Sequence, residues 1–407
     1  MKKTVLRQYA QLIARVGANV QPGQEVFIGA DLDQPEFVKM LVEECYKCKA
    51  KKVVVEWDYQ PLQKLHYRYR TLTTLSKMDD YELARWAHYA KVLPARIYLI
   101  SEDPAGLMGI NQDKLSKAQQ RRYPLIKPYR DAMENRYQWC IAAVPGKAWA
   151  KKLFPELRAS QAVEKLWQAI LSTCRVTEDP VAAWQQHNAS LKEHCARLNA
   201  MGIEKLHYHS ANGTDFTVGM IPQAQFCGGS EETLDGVVFN PNMPTEECFT
   251  SPMRGEAEGI VYGTKPLCYQ GQLVENFWIR FHEGKAVEWH AETNEALLTK
   301  IITMDEGSAY LGECALVPYS SPICQSGLLF YSTLFDENAV CHLALGKGFA
   351  DTIIGFQDMT LDECRQLGVN ESMVHEDFMI GSPDLSIDAI CRDGQTRPVF
   401  RNGNWAF

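Results

Sequence analysis

The stretch from Gln21 to Trp57, QPGQEVFIGADLDQPEFVKMLVEECYKCKAKKVVVEW, decides how the chain begins to fold. Gln21-Pro22-Gly23-Gln24 is a turn, because proline presets one backbone angle and glycine admits the reversal. Val26-Phe27-Ile28 is a short apolar run that predicts a buried strand ending at Asp31. Pro35 opens a helix, where its missing N–H costs no helical bond. Phe37, Leu41, Cys45 and Cys48 then recur at helical spacing on one face. Val53-Val54-Val55-Glu56-Trp57 is a second strand. A strand, a helix and a strand in that order predict two parallel strands joined by a crossover.

Outward from this stretch the alternation continues. Leu6, Tyr9, Leu12, Ile13 and Val16 predict a helix before it. After it come a polar helix over 79–90, a strand over 95–100, a charged helix over 111–122 and a strand over 138–144. Two further helices are expected over 166–174 and 180–201. The reading is an α/β N-terminal domain with a mainly parallel layered sheet, Rossmann-type or flavodoxin-like, over residues 1–190. No glycine-rich phosphate motif follows the first strand, where Gly29-Ala30-Asp31-Leu32-Asp33 stands instead, so a dinucleotide partner is not expected. After Met201-Gly202 the texture changes. Strand-like runs over 205–209, 216–218, 237–239, 259–262 and 276–281 lie among Asn-Gly and Asp-Gly turns. With a helix expected over 291–304, residues 191–407 read as an α+β C-terminal domain rich in antiparallel strands.

Composition sets limits on partners. Of 407 residues, 46% are hydrophobic and 23% charged, which is ordinary for a folded chain. Lysine and arginine number 42 against 50 acidic residues, a formal charge of −8 that repels phosphate. Neither nucleic acid nor membrane is expected as a partner. No apolar run follows the N-terminal charges as in a signal peptide, and none approaches a membrane span, so a cytoplasmic location is expected. The 13 cysteines are scattered and odd in number, and read as mostly free, buried thiols. The CxxC of Cys45 and Cys48 reads as the interior of the Pro35 helix rather than as a redox or zinc motif.

The chemistry gathers late in the chain, in four segments: PTEECFTSP (244–252), YLGECALVP (310–318), LFDENAVCHLALG (334–346) and VHEDFMIGS (374–382). His375 and Asp377 are two apart in a run that reads as strand, so their side chains share a face. Glu337 and His342 are five apart, too far for one helical turn, but a loop entering a strand could bring both to one point. Glu247 and Glu313 sit between apolar neighbours, where a carboxylate is costly unless paired or metal-bound. Two histidines with several carboxylates form a mixed oxygen and nitrogen donor set. That set suits a dinuclear Zn, Co, Mn or Mg hydrolase better than a structural zinc site. His207 and His209 alternate on a strand with no carboxylate adjoining them, and read as structural. His282 and His290 flank a Glu-Gly-Lys turn and read as exposed.

These four segments, joined by Gly213-Thr214-Asp215-Phe216-Thr217-Val218-Gly219 and Trp278-Ile279-Arg280-Phe281, resemble the thermophilic-type metallo-aminopeptidases, the aminopeptidase T, aminopeptidase S and PepS family. The opening YAQLIARVGANVQPGQEV (9–26) is similar as well. The resemblance implies a cytoplasmic, homodimeric exopeptidase that releases N-terminal residues from peptides with a free N-terminus. It implies two divalent ions per chain, with attack by a bridging hydroxide. Carried over by position, the metal ligands are Glu247, Glu313, Glu337, His342, His375 and Asp377, and Glu313 or Glu337 is the catalytic base. One position departs from the family pattern: Phe349 stands where the resemblance implies a tyrosine able to donate to a developing oxyanion. That departure carries an alternative, a catalytically weakened metal-binding relative with a binding or structural role.

Overall fold

A computed structural model describes all residues, 1–407. It divides into two compact units, Met1–Gln186 with Ser230–Pro244, and His187–Gly229 with Thr245–Phe407.

The first unit is built on a parallel sheet. Its strands are β1 (Glu25–Asp31), β2 (Lys52–Asp58), β3 (Ala95–Ile100) and β4 (Trp139–Ala143), in the order β2-β1-β3-β4, with Asn242–Met243 added beside β4. Ile28 of β1 lies level with Val55 of β2 and Ile97 of β3, so the apolar centres of the three strands align. The helix Pro35–Lys47 buries Phe37, Val38, Leu41 and Cys45, the face its spacing predicts. Cys48 caps that helix, and all 13 cysteines are free thiols.

Two expected boundaries move. The helix expected over 111–122 runs from Gln112 to Met133 with Pro124 and Pro128 inside it. Between Gln119 and Ala132 it buries no side chain, so carbonyls freed by the prolines can reach water. The helix expected over 291–304 is shorter, Glu295–Ile302. Residues through Thr293 instead complete a strand, and Asn294 at φ +59° turns the chain between them. No helix is long and apolar enough to cross a membrane.

The second unit is mainly antiparallel. Its nine-stranded sheet runs, by neighbour, through Leu267–Tyr269, Gln272–His282, Pro252–Tyr262, Asp215–Met220, Ile203–His209, Ser386–Cys391, Thr396–Arg401 and Asn404–Trp405, with Lys285–Thr293 paired to Gln272–His282. A separate four-stranded antiparallel sheet has the order Cys248–Thr250, Leu311–Leu316, His342–Gly346, His375–Met379. One face of this small sheet supplies Cys314, Leu316, Leu343, Leu345 and Phe378 to the unit's core. A strand alternates its side chains, so the residues between these belong to the other face.

Candidate metal centre

That other face carries the chemistry. Glu313 lies opposite Ala344, and Ala344 lies opposite Asp377, so three adjacent strands place two carboxylates on either side of one methyl group. His342 precedes Ala344 by two and His375 precedes Asp377 by two, which puts both imidazoles on the same face. A bulge between Leu311 and Glu313 sets this register. Gly312 sits in the bulge, where an added Cβ would come within 2.2 Å of the Lys347 carbonyl oxygen. Glu247 enters from the segment before Cys248–Thr250, and Glu337 from the short 3-10 turn Glu337–Ala339.

The six residues expected from the sequence converge. His342 Nε2 is 3.4 Å from Glu247 Oε2 and 3.9 Å from Glu313 Oε1. His375 Nε2 is 3.0 Å from Glu313 Oε2 and 3.3 Å from Asp377 Oδ1. Ligand atoms of Glu247, Glu313 and His342 form one group within 4.8 Å of one another, and those of Glu313, His375 and Asp377 form a second. Glu313 belongs to both. Glu337 belongs to neither, but shares a hydrogen bond with Asp377. All four carboxylates and His342 are buried, while a quarter of the His375 side chain is exposed.

Charge in this space is unbalanced. Burial, then Glu313 and Asp377, raise the Glu247 carboxyl well above its ordinary range. Burial, then Asp377, Glu247 and Glu313, do the same to Glu337. Burial alone would lower the His375 imidazole, but Asp377 and Glu313 raise it well above its usual value. Burial opposes ionisation of Asp377, yet His375 and His342 hold it below the ordinary carboxylate value. Asp377 Oδ1 is buried and makes no well-formed hydrogen bond, its ion-pair neighbour His375 Nε2 lying 3.3 Å away. Four crowded carboxylates with one such oxygen fit divalent cations, whose charge would offset theirs.

Backbone carbonyls orient the imidazoles. His375 Nδ1 donates to the Lys347 carbonyl at 2.7 Å, which turns Nε2 toward the carboxylates. His342 Nδ1 is 3.4 Å from the Val340 carbonyl. The Phe349 ring packs 4.9 Å from the His375 ring and 5.5 Å from Phe249. The Thr245 hydroxyl donates to Glu247 Oε1 at 3.4 Å.

Three supporting residues escape the sequence reading. His187 Nε2 lies 2.8 Å from the Thr245 carbonyl and 3.9 Å from Glu246 Oε2. Asn338 bonds both Glu337 and the backbone of Glu246. Ala344 forms the floor between the carboxylates. Only Asn338 and Ala344 fall inside a segment already singled out, and an amide or a methyl carries no charge pattern to mark it. The reading of His207 and His209 needs one correction: a carboxylate does lie beside them, because strand pairing brings Asp215 Oδ1 to 2.7 Å from His207 Nε2. His282 and His290 are exposed, as expected, and pair with Glu258 and Glu295.

A parallel α/β unit and an antiparallel unit that carries a buried carboxylate–histidine cluster describe a protein with a candidate metal centre. The thermophilic metalloprotease (M29) family model matches residues 2–405, and the chain belongs to that family. It is 41% identical over 404 residues to Aminopeptidase AmpS of Bacillus subtilis (strain 168), covering 99% of this chain and 98% of that one. It is 39% identical over 405 residues to Aminopeptidase T of Thermus aquaticus, covering 98% of each. The solved structure of wild-type AmpT from Thermus thermophilus superposes with a TM-score of 0.89 at 37% identity, covering 100% of both chains. A 2,5-dihydroxypyridine dioxygenase from Pseudomonas putida KT2440 matches at TM-score 0.52 and 14% identity, over 99% of this chain and 96% of that one, a likeness of fold alone.

Proposed function

We propose that this metallopeptidase is an aminopeptidase that takes two divalent ions and releases N-terminal residues from peptides with a free N-terminus. The observation that carries the reading is the place of Glu313 in both ligand groups. Its two oxygens face different histidines, the arrangement of a carboxylate shared between two ions. Glu247, Glu313 and His342 would hold one ion, and Glu313, His375 and Asp377 the other. Zn, Co, Mn and Mg all suit a donor set of carboxylates and imidazoles. Such ions would supply Lewis acidity to a scissile carbonyl and bring the pKa of the attacking water near neutrality.

The chain's own groups do the rest. Glu337, outside both groups, would be ionised once cations offset its carboxylate neighbours, and would then take a proton from the attacking water and pass it to the leaving amine. The substrate's free α-amino group would be held by a carboxylate of the site. Burial of the cluster keeps bulk water from screening these charges. In this reading residues 191–407 form the catalytic domain and residues 1–190 the N-terminal domain, in a cytoplasmic homodimer. The weakened-relative alternative is not favoured, because full-length relatives at about this level of identity bear the name aminopeptidase.

The test is release of N-terminal residues from leucine or arginine anilides, before and after chelation. Release that stops with chelator and returns with Co, Zn or Mn supports the reading. Chelator-insensitive release, or none with metal restored, defeats it.

A further inference from the structure

Asn338 follows Glu337 in the turn Glu337–Ala339, and none of it is exposed. Its Oδ1 accepts the backbone N–H of Glu246 at 2.7 Å. Its Nδ2 donates to the Leu334 carbonyl and to Glu337 Oε1, each at 3.1 Å. A primary amide offers two N–H donors, so both are engaged. We propose that Asn338 is a positioning residue for the peptidase reaction, which fixes the Glu337 carboxylate and ties the backbone beside Glu247 to the turn that carries Glu337.

The surroundings show why an amide is needed. On its cluster side Glu337 shares a hydrogen bond with Asp377. The Asn338 N–H supplies an attractive contact from behind. The turn is itself anchored, because the Ser321 hydroxyl donates to the Ala339 carbonyl at 2.6 Å. Aspartate at 338 would keep the shape and the acceptor for Glu246 but offer no N–H, setting a fifth carboxylate against Glu337. Leucine would keep the volume and leave the buried Glu246 N–H without a partner. Asparagine alone among residues of this size gives one acceptor and two donors in one plane.

The inference rests on the aminopeptidase reading, and its test separates the two. N338D and N338S are prepared with metal restored, and kcat, KM, metal content and crystal structures are compared with wild type. In N338D, kcat falls about 10- to 100-fold while KM for a leucine anilide stays within about twofold. Ions per chain are unchanged. The crystal structure shows the Glu337 carboxylate rotated away, with Glu313 and His375 in place. N338S, which keeps a hydroxyl donor, loses less. Wild-type kcat and an unmoved Glu337 in both variants overturn the proposal. So does loss of bound metal, which would make Asn338 a support of the ligands, and so does failure of both variants to fold. A wild type without chelator-sensitive activity sinks the aminopeptidase reading instead, and the position of Glu337 in N338D still decides the role of Asn338.

Discussion

Glu313 Oε2 lies 3.0 Å from His375 Nε2. The other Glu313 oxygen points toward His342, so this one side chain joins the two halves of the cluster. Glu313→Gln keeps the shape and removes the shared charge. Activity falls about 10²-fold or more, and elemental analysis finds fewer ions per chain than in wild type. The chelated protein responds in the opposite direction. Removing one of four crowded, buried carboxylates relieves repulsion, so the variant melts about 2 °C or more above wild type in chelator. Calorimetry with and without metal reads both signs. A variant that keeps full metal content would end the shared-ligand assignment.

Ala344 separates Glu313 from Asp377 across three strands. Ala344→Val adds two methyl groups between the carboxylates, and overpacking of this kind costs about 1–3 kcal/mol. Valine favours strands, so the sheet itself persists. Metal affinity falls about tenfold or more while far-ultraviolet circular dichroism is unchanged. Titration of the chelated protein with Co or Zn checks this. Undiminished affinity would show that the space above Ala344 is not where ions sit.

What the sequence makes legible follows from how each feature is encoded. The parallel strands are marked by apolar runs such as Val53 to Val55, and the Pro35 helix by its spacing. His375 and Asp377 can be paired from sequence because a strand fixes the facing of residues two apart. Their meeting with Glu313 depends on cross-strand register, which rests on a one-residue bulge at Gly312. No local pattern encodes that register, and a slip of one residue would turn Glu313 into the core. The same holds for Asp215 beside His207, which lie on neighbouring strands. The extension of the helix past Pro124 and Pro128 was hidden for another reason: proline is a strong local stop signal, and solvent exposure overrides it here.

Asp31 ends β1, and its carboxyl is raised to about 7, by burial first and then by Glu102, with Asp33 and Asp58 adding to the effect. Ser101 donates to Asp31 at 3.3 Å, a weaker opposing influence. In the unfolded chain the group titrates at the ordinary aspartate value of about 3.9. Between these values the native state holds a proton that the unfolded state has lost. Stability therefore falls as pH rises through this window, and the loss is complete above about 7. Asp31→Asn removes the titration. The variant gains about 1 kcal/mol or more over wild type at pH 8 and little at pH 4. Denaturant melts at the two pH values measure the difference, and an equal gain at both would refute the assignment.

Phe349 is held by its backbone as much as by its ring. The Ser251 hydroxyl accepts the Phe349 N–H at 2.7 Å and donates to its carbonyl at 3.2 Å. The ring is thereby fixed against His375 and Phe249. His375 already has its Nδ1 on the Lys347 carbonyl, so the ring covers one side of an imidazole oriented from elsewhere. Tyrosine would keep that packing and add a hydroxyl. Were an oxyanion donor missing at this position, Phe349→Tyr would raise kcat about 10²- to 10³-fold. The expected change is less than about tenfold, because in the proposed reading bound metal would meet most of the charge developing on a carbonyl. Phe349→Ala uncovers His375 to water and weakens the second ligand group, lowering metal affinity more than Phe349→Tyr does. Steady-state kinetics on both variants, with metal content measured in parallel, decide between a ring that packs and a missing hydroxyl that limits the rate.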